Sequence, residues 1–390
     1  MKLSDEQRRI IQHTHGPALV VAGPGTGKTT TLLHRVNYLI HQQAVTPAHI
    51  LLLTFSTNTE EDLKARLLQV GRFDGVETRT FHSFGYTLIK QNPALFGYTQ
   101  APKYLHQTKK TPKAYGERVH ANRITYGDML LQLTDLIEKK PKCFQRQIRC
   151  YQHILVDELQ DLNAEQTAIL LGLSQSKTLN SMVMVGDCKQ LIYSFRGASM
   201  AHWQTLSDKP KPTIYPLSVT HRLKKASLGL VNAVGKLIAP NDPPLRAGNC
   251  QERRLKPCFK AFDDFDQQAQ FIADNIEQLL NQGVPPNQIA CLSPRIWNLR
   301  RLGMVLERHG LSGELIKQTP ARGDSANTKL NPAKALVLLL KLTQAIHLLG
   351  PRPRPNSESK QLRNHAKTLK SALRALGVPK RHVTSIAGER

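Results

Sequence analysis

The sequence contains few cysteines, and their spacing is not that of a metal site or a disulfide framework. Six cysteines are spread over 390 residues, with no Cys-x-x-Cys pair and no histidine at the spacing that zinc ligation requires. Isolated thiols of this kind are typical of a reducing compartment, where they stay unpaired. We therefore expect reduced, structural cysteines and no zinc site.

Long apolar runs are also missing. The longest, Ala335 to Leu349, is interrupted by Lys341, Gln344 and His347, so it predicts a buried helix and not a membrane span. The first ten residues, MKLSDEQRRI, lack the apolar segment of a secretory signal. We therefore expect a cytoplasmic protein with no membrane partner.

Acidic residues are scarce relative to basic ones. The chain has 54 Lys and Arg against 29 Asp and Glu, a net charge of +25. An excess of this size favours a polyanionic partner, because each phosphate that a cation neutralises releases condensed counterions. A generally basic, solubilising surface is the alternative. The length allows two or three domains, each with its own core.

Three consecutive segments differ in pattern over the first half of the chain. Residues 1–88 alternate short apolar runs with helical spacing, which predicts the beginning of a parallel α/β sheet. Residues 89–124 lose this pattern and are rich in Lys and Arg, which indicates an inserted basic subdomain. The sheet pattern resumes over residues 125–212, where the runs HILVDELQD and SMVMVGD read as buried strands that end in carboxylates.

The second half of the chain predicts a second, partial unit. We expect this unit over residues 213–320, with a helix from Asp266 to Gln282 that stops at Gly283 and a strand over QIACLS. Residues 321–390 predict a basic helical tail or the remnant of a second domain.

A glycine-rich loop follows the first apolar run. The stretch AGPGTGKT fits the phosphate-binding P-loop pattern, with Ala in place of its first Gly. Its glycines allow turns that point N–H groups at phosphate oxygens, Lys28 reaches the β- and γ-phosphates, and Thr29 offers a hydroxyl to Mg²⁺. We therefore expect a magnesium–nucleotide site formed by Ala22, Gly23, Pro24, Gly25, Thr26, Gly27, Lys28 and Thr29.

The run ILVDELQD predicts the other half of this site. Asp157, at the end of an apolar strand, suits the coordination shell of Mg²⁺. Glu158 would point to the opposite side of an extended chain, where it could activate the attacking water. A strand that ends in Asp-Glu is as often structural as functional, but its pairing with a P-loop predicts nucleotide hydrolysis.

Together with several other stretches, these motifs resemble the UvrD/Rep-type superfamily 1 DNA helicases over residues 1–315. LSDEQRRII looks like the family's adenine-reading segment, and LLLTFSTNTEEDLKAR and TRTFHSF are similar to the two segments that line its single-strand track. ITYGDMLL, VGDCKQLIYSFRGA and LSVTHR match three later motifs. The resemblance implies an α/β P-loop NTPase with RecA-like parallel sheets flanked by helices, in two RecA-like domains of which the second is incomplete.

The same resemblance implies ATP and Mg²⁺ as cofactors and a role for each motif residue. Gln7 would read the adenine, Gln190 would sense the γ-phosphate and Arg222 would act as an arginine finger, beside Glu158 as the water-activating group. The DNA contacts would come from Phe55, Thr80, Phe81, His82, Tyr193 and Phe195. Aromatic stacking of this kind is tolerant of base sequence, although by residue type alone each aromatic is more often a core side chain.

The sequence departs from the family in its last part. After Gln318 we find neither the Lys-Gly-Leu-Glu type segment nor the Thr-Arg-Ala type segment of the family. The leading hypothesis is an ATP-dependent helicase or translocase that moves 3′ to 5′ on single-stranded DNA or at single-strand/duplex junctions. The alternatives are a truncated or degenerate protein that binds ATP and nucleic acid without unwinding, and a P-loop ATPase that acts on RNA or on a protein.

Overall fold

A computed structural model describes residues 3–71, 73–105, 114–223, 225–248, 258–293, 295–311 and 313. These residues divide into two compact units. The first unit comprises residues 3–223 and 243–248, and the second comprises residues 225–242 and 258–313 within the described ranges. In this part of the chain, none of the helices has the length and apolar content that crossing a bilayer requires.

The first unit is built on a parallel sheet. The strands are β1 (Gly16–Ala22), β2 (Ile50–Thr54), β3 (Glu77–Thr80), β4 (Lys103–Tyr104), β5 (Arg123–Ile124), β6 (His153–Val156), β7 (Ser181–Gly186), β8 (Thr213–Leu217), β9 (Val219–Thr220) and β10 (Arg246–Ala247). Six of them form one sheet in the order β3-β2-β6-β7-β1-β8, with every neighbouring pair parallel. The predicted α/β class is confirmed.

Helices connect and cover these strands. They are α1 (Asp5–Ile11), α2 (Lys28–His41), α3 (Thr57–Gly71), α4 (Phe81–Gln91), α5 (Tyr115–His120), α6 (Tyr126–Lys139), α7 (Pro141–Ile148), α8 (Ala164–Ser174), α9 (Met200–Asp208), α10 (Lys225–Ile238), α11 (Phe265–Asn281) and α12 (Ile296–Arg308). Capping boxes, which satisfy N–H groups of the first turn, begin α1, α4, α6 and α8.

The core of the first unit lies between the central strands and the helices α1, α2 and α3. Its residues are apolar and fully or almost fully buried, as in Val20 of β1, Leu32 of α2, Leu52 of β2 and Leu63 of α3. Strands β2, β6 and β7 are buried along their whole length. Such continuous apolar strands need cover on both faces, which is why they occur in parallel sheets.

The boundary expected near residue 213 is wrong. Strand β8 pairs in parallel with β1, with Ala18 opposite Thr213 and Ala22 opposite Leu217. It is therefore the sixth strand of the first sheet, and the first unit continues to Leu223. The apolar pattern of this stretch identified a strand but carried no information on which sheet the strand would join.

The second unit, in its described residues, contains α10, α11 and α12. The helix predicted from Asp266 is confirmed as α11, and Gly283 follows it with a φ of +80°. The strand predicted over QIACLS is wrong, since Pro286–Gln288 form a 3₁₀ turn and residues 289–293 enter no ladder. No strand of a second parallel sheet forms among these described residues, and the predictions for residues 321–390 lie outside them.

The predicted insertion at residues 89–124 contains short elements only. After α4, the chain forms a 3₁₀ turn at Pro93–Phe96, the parallel pair β4–β5 and the helix α5. Arg118 of α5 forms a salt bridge of 2.6 Å with Asp128 of α6. This ion pair, with Asp128 buried and Arg118 largely covered, ties the insertion to α6.

Candidate nucleotide and nucleic-acid site

The P-loop lies between the end of β1 and the start of α2. Gly25 and Gly27 have φ values of +73° and +85°, a region that favours glycine. A Cβ atom at Gly25 would also lie 2.4 Å from Cβ of Arg222, and one at Gly27 would lie 2.8 Å from Nε2 of Gln7. The glycines are therefore required both by the backbone conformation and by the close approach of two predicted site residues.

Lys28 and Thr29 begin the helix that follows the loop. The ammonium group of Lys28 donates to the carbonyl oxygen of Gly23 at 3.3 Å, and Thr29 Oγ1 donates to Oδ2 of Asp157 at 3.2 Å. Thr26 closes the loop by donating to the same carbonyl of Gly23 at 2.9 Å. The structure thus brings together the two predicted magnesium ligands, Thr29 and Asp157, from distant parts of the sequence.

Asp157 is a buried carboxylate that lies beside a second carboxylate. It lies directly after β6 and is 1 % exposed. Burial and the charge of Glu158 raise the pKa of Asp157 to about 6, and the charge of Lys28 opposes this shift. Because a bound cation would relieve the cost of the buried charge, the oxygen atoms of Asp157 and Thr29 fit a Mg²⁺ ion.

Glu158 differs from the prediction in its backbone. Its φ of 54° and ψ of 48° are left-handed, so the chain is not extended there and strand alternation does not direct the side chain. Positive φ is uncommon for a residue with a side chain and is concentrated at functional sites. Gln160 donates to Oε2 of Glu158 at 2.6 Å, which holds the carboxylate beside the end of β6.

A chain of hydrogen bonds joins this carboxylate to Gln190. Oε1 of Gln160 accepts the backbone N–H of Asp187 at 2.9 Å. Asp187 is fully buried, and its Oδ2 accepts from Nε2 of Gln190 at 2.7 Å. Gln160 and Asp187 were not among the predicted site residues. The signal that could have found them is their position, because Asp187 directly follows β7 and Gln160 lies in the 3₁₀ turn Leu159–Asp161 after the neighbouring strand β6.

Gln7 lies next to the P-loop, and the NH₂ group of its side-chain amide has no hydrogen-bond partner. It is fully buried in α1, and its Oε1 accepts the backbone N–H of Ser4 at 2.9 Å. Its Nε2 is buried without a hydrogen-bond partner. Buried donors are rarely left unsatisfied, so this atom, next to Gly27, fits a site that receives part of a nucleotide.

Arg222 lies against the same loop. Thr220 Oγ1 donates to the carbonyl of Pro24 at 2.9 Å, and the N–H of His221 donates to the carbonyl of Gly25 at 2.9 Å. The sequence placed Arg222 in the second domain, and this is wrong, because it precedes the boundary at Leu223 and belongs to the first unit. The side chain of Arg222 is exposed.

Three of the predicted DNA contacts form one aromatic cluster. The ring centroids of Phe55 and Tyr193 are 5.4 Å apart, and those of Tyr193 and Phe195 are 5.8 Å apart. The guanidinium of Arg196 lies 5.6 to 6.0 Å from all three centroids. Phe195 is 69 % exposed, whereas Tyr193 is buried. Phe195 therefore offers a free ring surface next to a cation, a combination suited to stacking on a base.

The other three predicted DNA contacts are directed elsewhere. Phe81 is fully buried, so its prediction as a base contact is wrong. Thr80 is also buried and accepts the N–H of Ser83 as the N-cap of α4. The ring of His82 stacks on that of Tyr126 at 3.5 Å, and burial lowers the pKa of His82 to about 3. At neutral pH His82 is therefore uncharged and contributes no positive charge toward a phosphate.

Comparison with known proteins identifies the family. The model of the UvrD/REP helicase N-terminal domain matches residues 3–114 and 99–211. DNA helicase II of Haemophilus influenzae is 26 % identical over 347 residues, covering 72 % of this chain and 46 % of its own. The ATP-dependent DNA helicase PcrA of Bacillus subtilis is 24 % identical over 339 residues, with coverages of 72 % and 46 %.

Two further proteins extend this comparison. The mitochondrial ATP-dependent DNA helicase HMI1 of Saccharomyces cerevisiae is 23 % identical over 384 residues, covering 82 % of this chain and 54 % of its own. A crystal structure of Pif1 helicase from Candida albicans has a TM-score of 0.32 and 13 % identity, over 62 % of this chain and 45 % of its own, a similarity too low to support a conclusion. The chain spans about half the length of these curated relatives. By its family match over residues 3–211, the chain belongs to the UvrD/REP helicase family.

Proposed function

We propose that this chain binds Mg-ATP at the P-loop and hydrolyses it when single-stranded DNA is bound, as an ATP-dependent DNA translocase or helicase that moves 3′ to 5′. The observation that carries the proposal is the hydrogen bond of 3.2 Å between Thr29 and Asp157. It joins the P-loop to the acidic strand, as a magnesium–nucleotide site requires.

Each residue around this contact would have a separate role in ATP hydrolysis. Mg²⁺, when bound, neutralises charge that develops on the phosphates. Thr29 and Asp157 would hold it, Lys28 would bind the phosphate oxygens, and Glu158 would orient and deprotonate the attacking water. Arg222, on the segment that contacts Pro24 and Gly25, would stabilise the transferring phosphoryl group.

The coupling to DNA would run through Gln190. Its amide is hydrogen-bonded to Asp187 on one side of the cleft, and three residues later in the chain Tyr193 enters the aromatic cluster with Phe55 and Phe195. A small shift of Gln190 on nucleotide binding would therefore move Tyr193 and Phe195. This movement would alter their stacking on a DNA base. This short path supports the proposal that nucleotide binding at the P-loop changes how the aromatic cluster holds DNA.

The proposal predicts that Lys28→Ala abolishes DNA-stimulated ATP hydrolysis. We expect wild-type phosphate release to rise on addition of single-stranded DNA, and the variant to lose about a hundredfold or more in turnover, because it lacks the cation at the phosphates. Lys139→Ala is the matched control, since Lys139 is exposed and forms a salt bridge with Asp135 on its own helix. Phosphate release at saturating ATP, with and without a DNA oligonucleotide, is the measurement.

Three outcomes distinguish the alternatives. No stimulation by DNA, together with an unchanged Lys28→Ala rate, would contradict the proposal. Tight binding of Mg-ATP and DNA without phosphate release would favour a binding protein without turnover. Stronger stimulation by RNA than by DNA would favour an RNA-dependent ATPase. The direction is tested separately by displacement of streptavidin from oligonucleotides with biotin at one end, where 3′ to 5′ movement clears the 5′ end only.

A further inference from the structure

A short segment that follows β8 lies on the P-loop and is hydrogen-bonded to its backbone. This segment, Ser218–Arg222, donates one hydrogen bond from Thr220 Oγ1 to the carbonyl of Pro24 and one from the N–H of His221 to the carbonyl of Gly25, both at 2.9 Å. The second bond lies one residue before Arg222. The position of Arg222 at the loop is therefore determined by where this segment is held.

A second strand holds the segment from its other side. The N–H of Arg246 donates to the carbonyl of Ser218 at 2.9 Å, and the N–H of Gly248 donates to the carbonyl of Thr220 at 2.8 Å. These bonds flank the parallel pair β9–β10. The same strand brings Leu245 so close to the loop that a Cβ atom on Gly23 would lie 2.3 Å from its side chain. We call the segments Ser218–Arg222 and Leu245–Gly248 the clasp.

One carboxylate anchors both halves of the clasp. Glu6 accepts from the N–H of Ser218 at 2.7 Å and from its hydroxyl at 2.6 Å. It also accepts from Nη2 of Arg246 at 2.9 Å, and this guanidinium donates to the Ser218 hydroxyl at 2.9 Å. Glu6 sits next to Gln7 on α1, so the same helix turn holds the clasp and lines the site.

We propose that Glu6 is a positioning residue that holds the clasp on the P-loop and thereby sets Arg222 at the nucleotide phosphates. This inference rests on the proposed function of the site. Glu6 itself touches neither the loop nor Arg222 through any of these bonds. Its effect on hydrolysis therefore passes through Ser218 and the clasp, and it should influence turnover more than nucleotide binding.

The charge of Glu6 suits this role. Burial by itself would raise the pKa of Glu6, but the hydrogen bonds from Ser218 and the charge of Arg246 outweigh it and lower the pKa. The carboxylate is thus ionised at neutral pH, and its hydrogen bonds are charge-assisted, the stronger kind. Alanine at this position would leave the Ser218 N–H without its acceptor, whereas glutamine would keep an oxygen there.

The test combines amide exchange with kinetics on the full chain. In Glu6→Ala, we expect the N–H groups of Ser218, His221 and Gly248 to exchange about tenfold faster, as the clasp opens more often. We expect kcat for DNA-stimulated ATP hydrolysis to fall about tenfold while KM for ATP stays within about twofold. Glu6→Gln should lose only about threefold in kcat, because it keeps the acceptor. Asp5→Ala, an exposed acid on the same helix, is the matched control and should change neither readout.

A double variant separates positioning from general destabilisation. If Glu6 acts through Arg222, adding Glu6→Ala to Arg222→Ala should lower kcat by less than about twofold further. A multiplicative loss, or unchanged amide exchange in Glu6→Ala, would overturn the inference. If Glu6→Ala does not fold, Ser218→Ala removes the hydroxyl contacts with Glu6 and Arg246 and keeps the N–H bond to Glu6. We expect about threefold effects on amide exchange and kcat, and an unchanged exchange rate would count against the clasp. If the wild-type protein does not hydrolyse ATP, the proposed function is refuted. The amide-exchange data would still show whether Glu6 holds the clasp on the P-loop.

Discussion

The two ends of the parallel sheet both carry buried polar side chains, but they use them differently. At the amino end, Arg35 is fully buried and donates to the carbonyls of Ile10 and Ile11 at 3.2 and 2.8 Å and to Ser181 Oγ at 2.7 Å. Ser181 Oγ also lies 2.8 Å from Nδ1 of His153. Through its two terminal nitrogens Arg35 joins α1, α2 and two strands, while its Nε is buried without a hydrogen-bond partner.

At the carboxyl end, the buried polar groups are those of the proposed nucleotide site. Asp157 is as buried as Arg35, but its nearest charged neighbours include another carboxylate, Glu158, and its pKa is raised to about 6. Gln7 keeps a buried N–H₂ group without a partner. The difference shows that burial of polar groups does not by itself mark a site. A buried donor without a partner occurs at both ends, as Nε of Arg35 and as Nε2 of Gln7, so it does not mark a site either. What distinguishes the carboxyl end is a buried carboxylate beside a second one, which raises its pKa.

Removal of Arg35 should cause the largest loss of stability, because this side chain joins the elements at the amino end of the sheet. Arg35→Ala removes the side-chain donor to the carbonyls of Ile10 and Ile11 and to Ser181 Oγ, and it creates a cavity. We therefore expect a loss of about 3–5 kcal/mol in the free energy of unfolding. Denaturant unfolding followed by circular dichroism measures it. Arg66→Ala, which removes an exposed arginine paired with Asp62 on α3, should cost less than about 1 kcal/mol. Equal stability of the two variants would contradict the structural role of Arg35.

Neutralising Asp157 should have the opposite effect on stability. Because burial and Glu158 raise the folded pKa of Asp157 to about 6, above its unfolded value, the ionised form destabilises the fold above that pH. We expect Asp157→Asn to be as stable as wild type or more stable by about 1 kcal/mol at pH 8, while ATP turnover falls about a hundredfold. Thermal unfolding and phosphate release are the measurements.

The control for this variant is an acid with no buried charge. Asp135→Asn replaces an exposed carboxylate that pairs with Lys139 and should leave both stability and turnover unchanged. A lower melting temperature for Asp157→Asn than for Asp135→Asn would show that the carboxylate supports the fold, and the distinction between the two ends of the sheet would fail.

The last prediction concerns the pH dependence of stability, to which His153 at the amino end should contribute. Burial, and then the charge of Arg35, lower the pKa of His153 to about 4. The unfolded chain binds a proton below about pH 6.5 and the folded chain does not, so stability is complete above that pH and is lost as the pH falls toward 4. We expect a loss of about 1–2 kcal/mol between pH 7 and pH 5 that His153→Gln reduces. An identical pH dependence in wild type and variant would contradict this.

Much of the site could be predicted from the sequence, because its motifs are local. AGPGTGKT requires glycines at set positions and a helix directly after them, and both Gly25 and Gly27 have the expected backbone. Asp157 follows a buried strand as predicted. In each case the residue types that the chemistry needs lie within one turn or at one strand end, so no long-range information is required.

Predictions that depended on side-chain direction were less successful. The motif TRTFHSF matched the family by its letters, but Phe81 and Phe84 both face the core from α4. Glu158 was expected to continue an extended chain, but β6 ends at Val156 and the backbone of Glu158 is left-handed. A sequence match specifies which residue is present, whereas the packing around it specifies whether the residue is exposed.

By itself, the sequence determined the α/β class, the P-loop, the acidic strand end and the order of the motifs, because each depends on local pattern and residue chemistry. Only the tertiary structure decided that β8 joins β1, that Arg222 belongs to the first unit and that Glu6 anchors the clasp. These are pairings across some 200 residues of sequence. They depend on which surfaces pack together, and no short stretch of sequence contains that information.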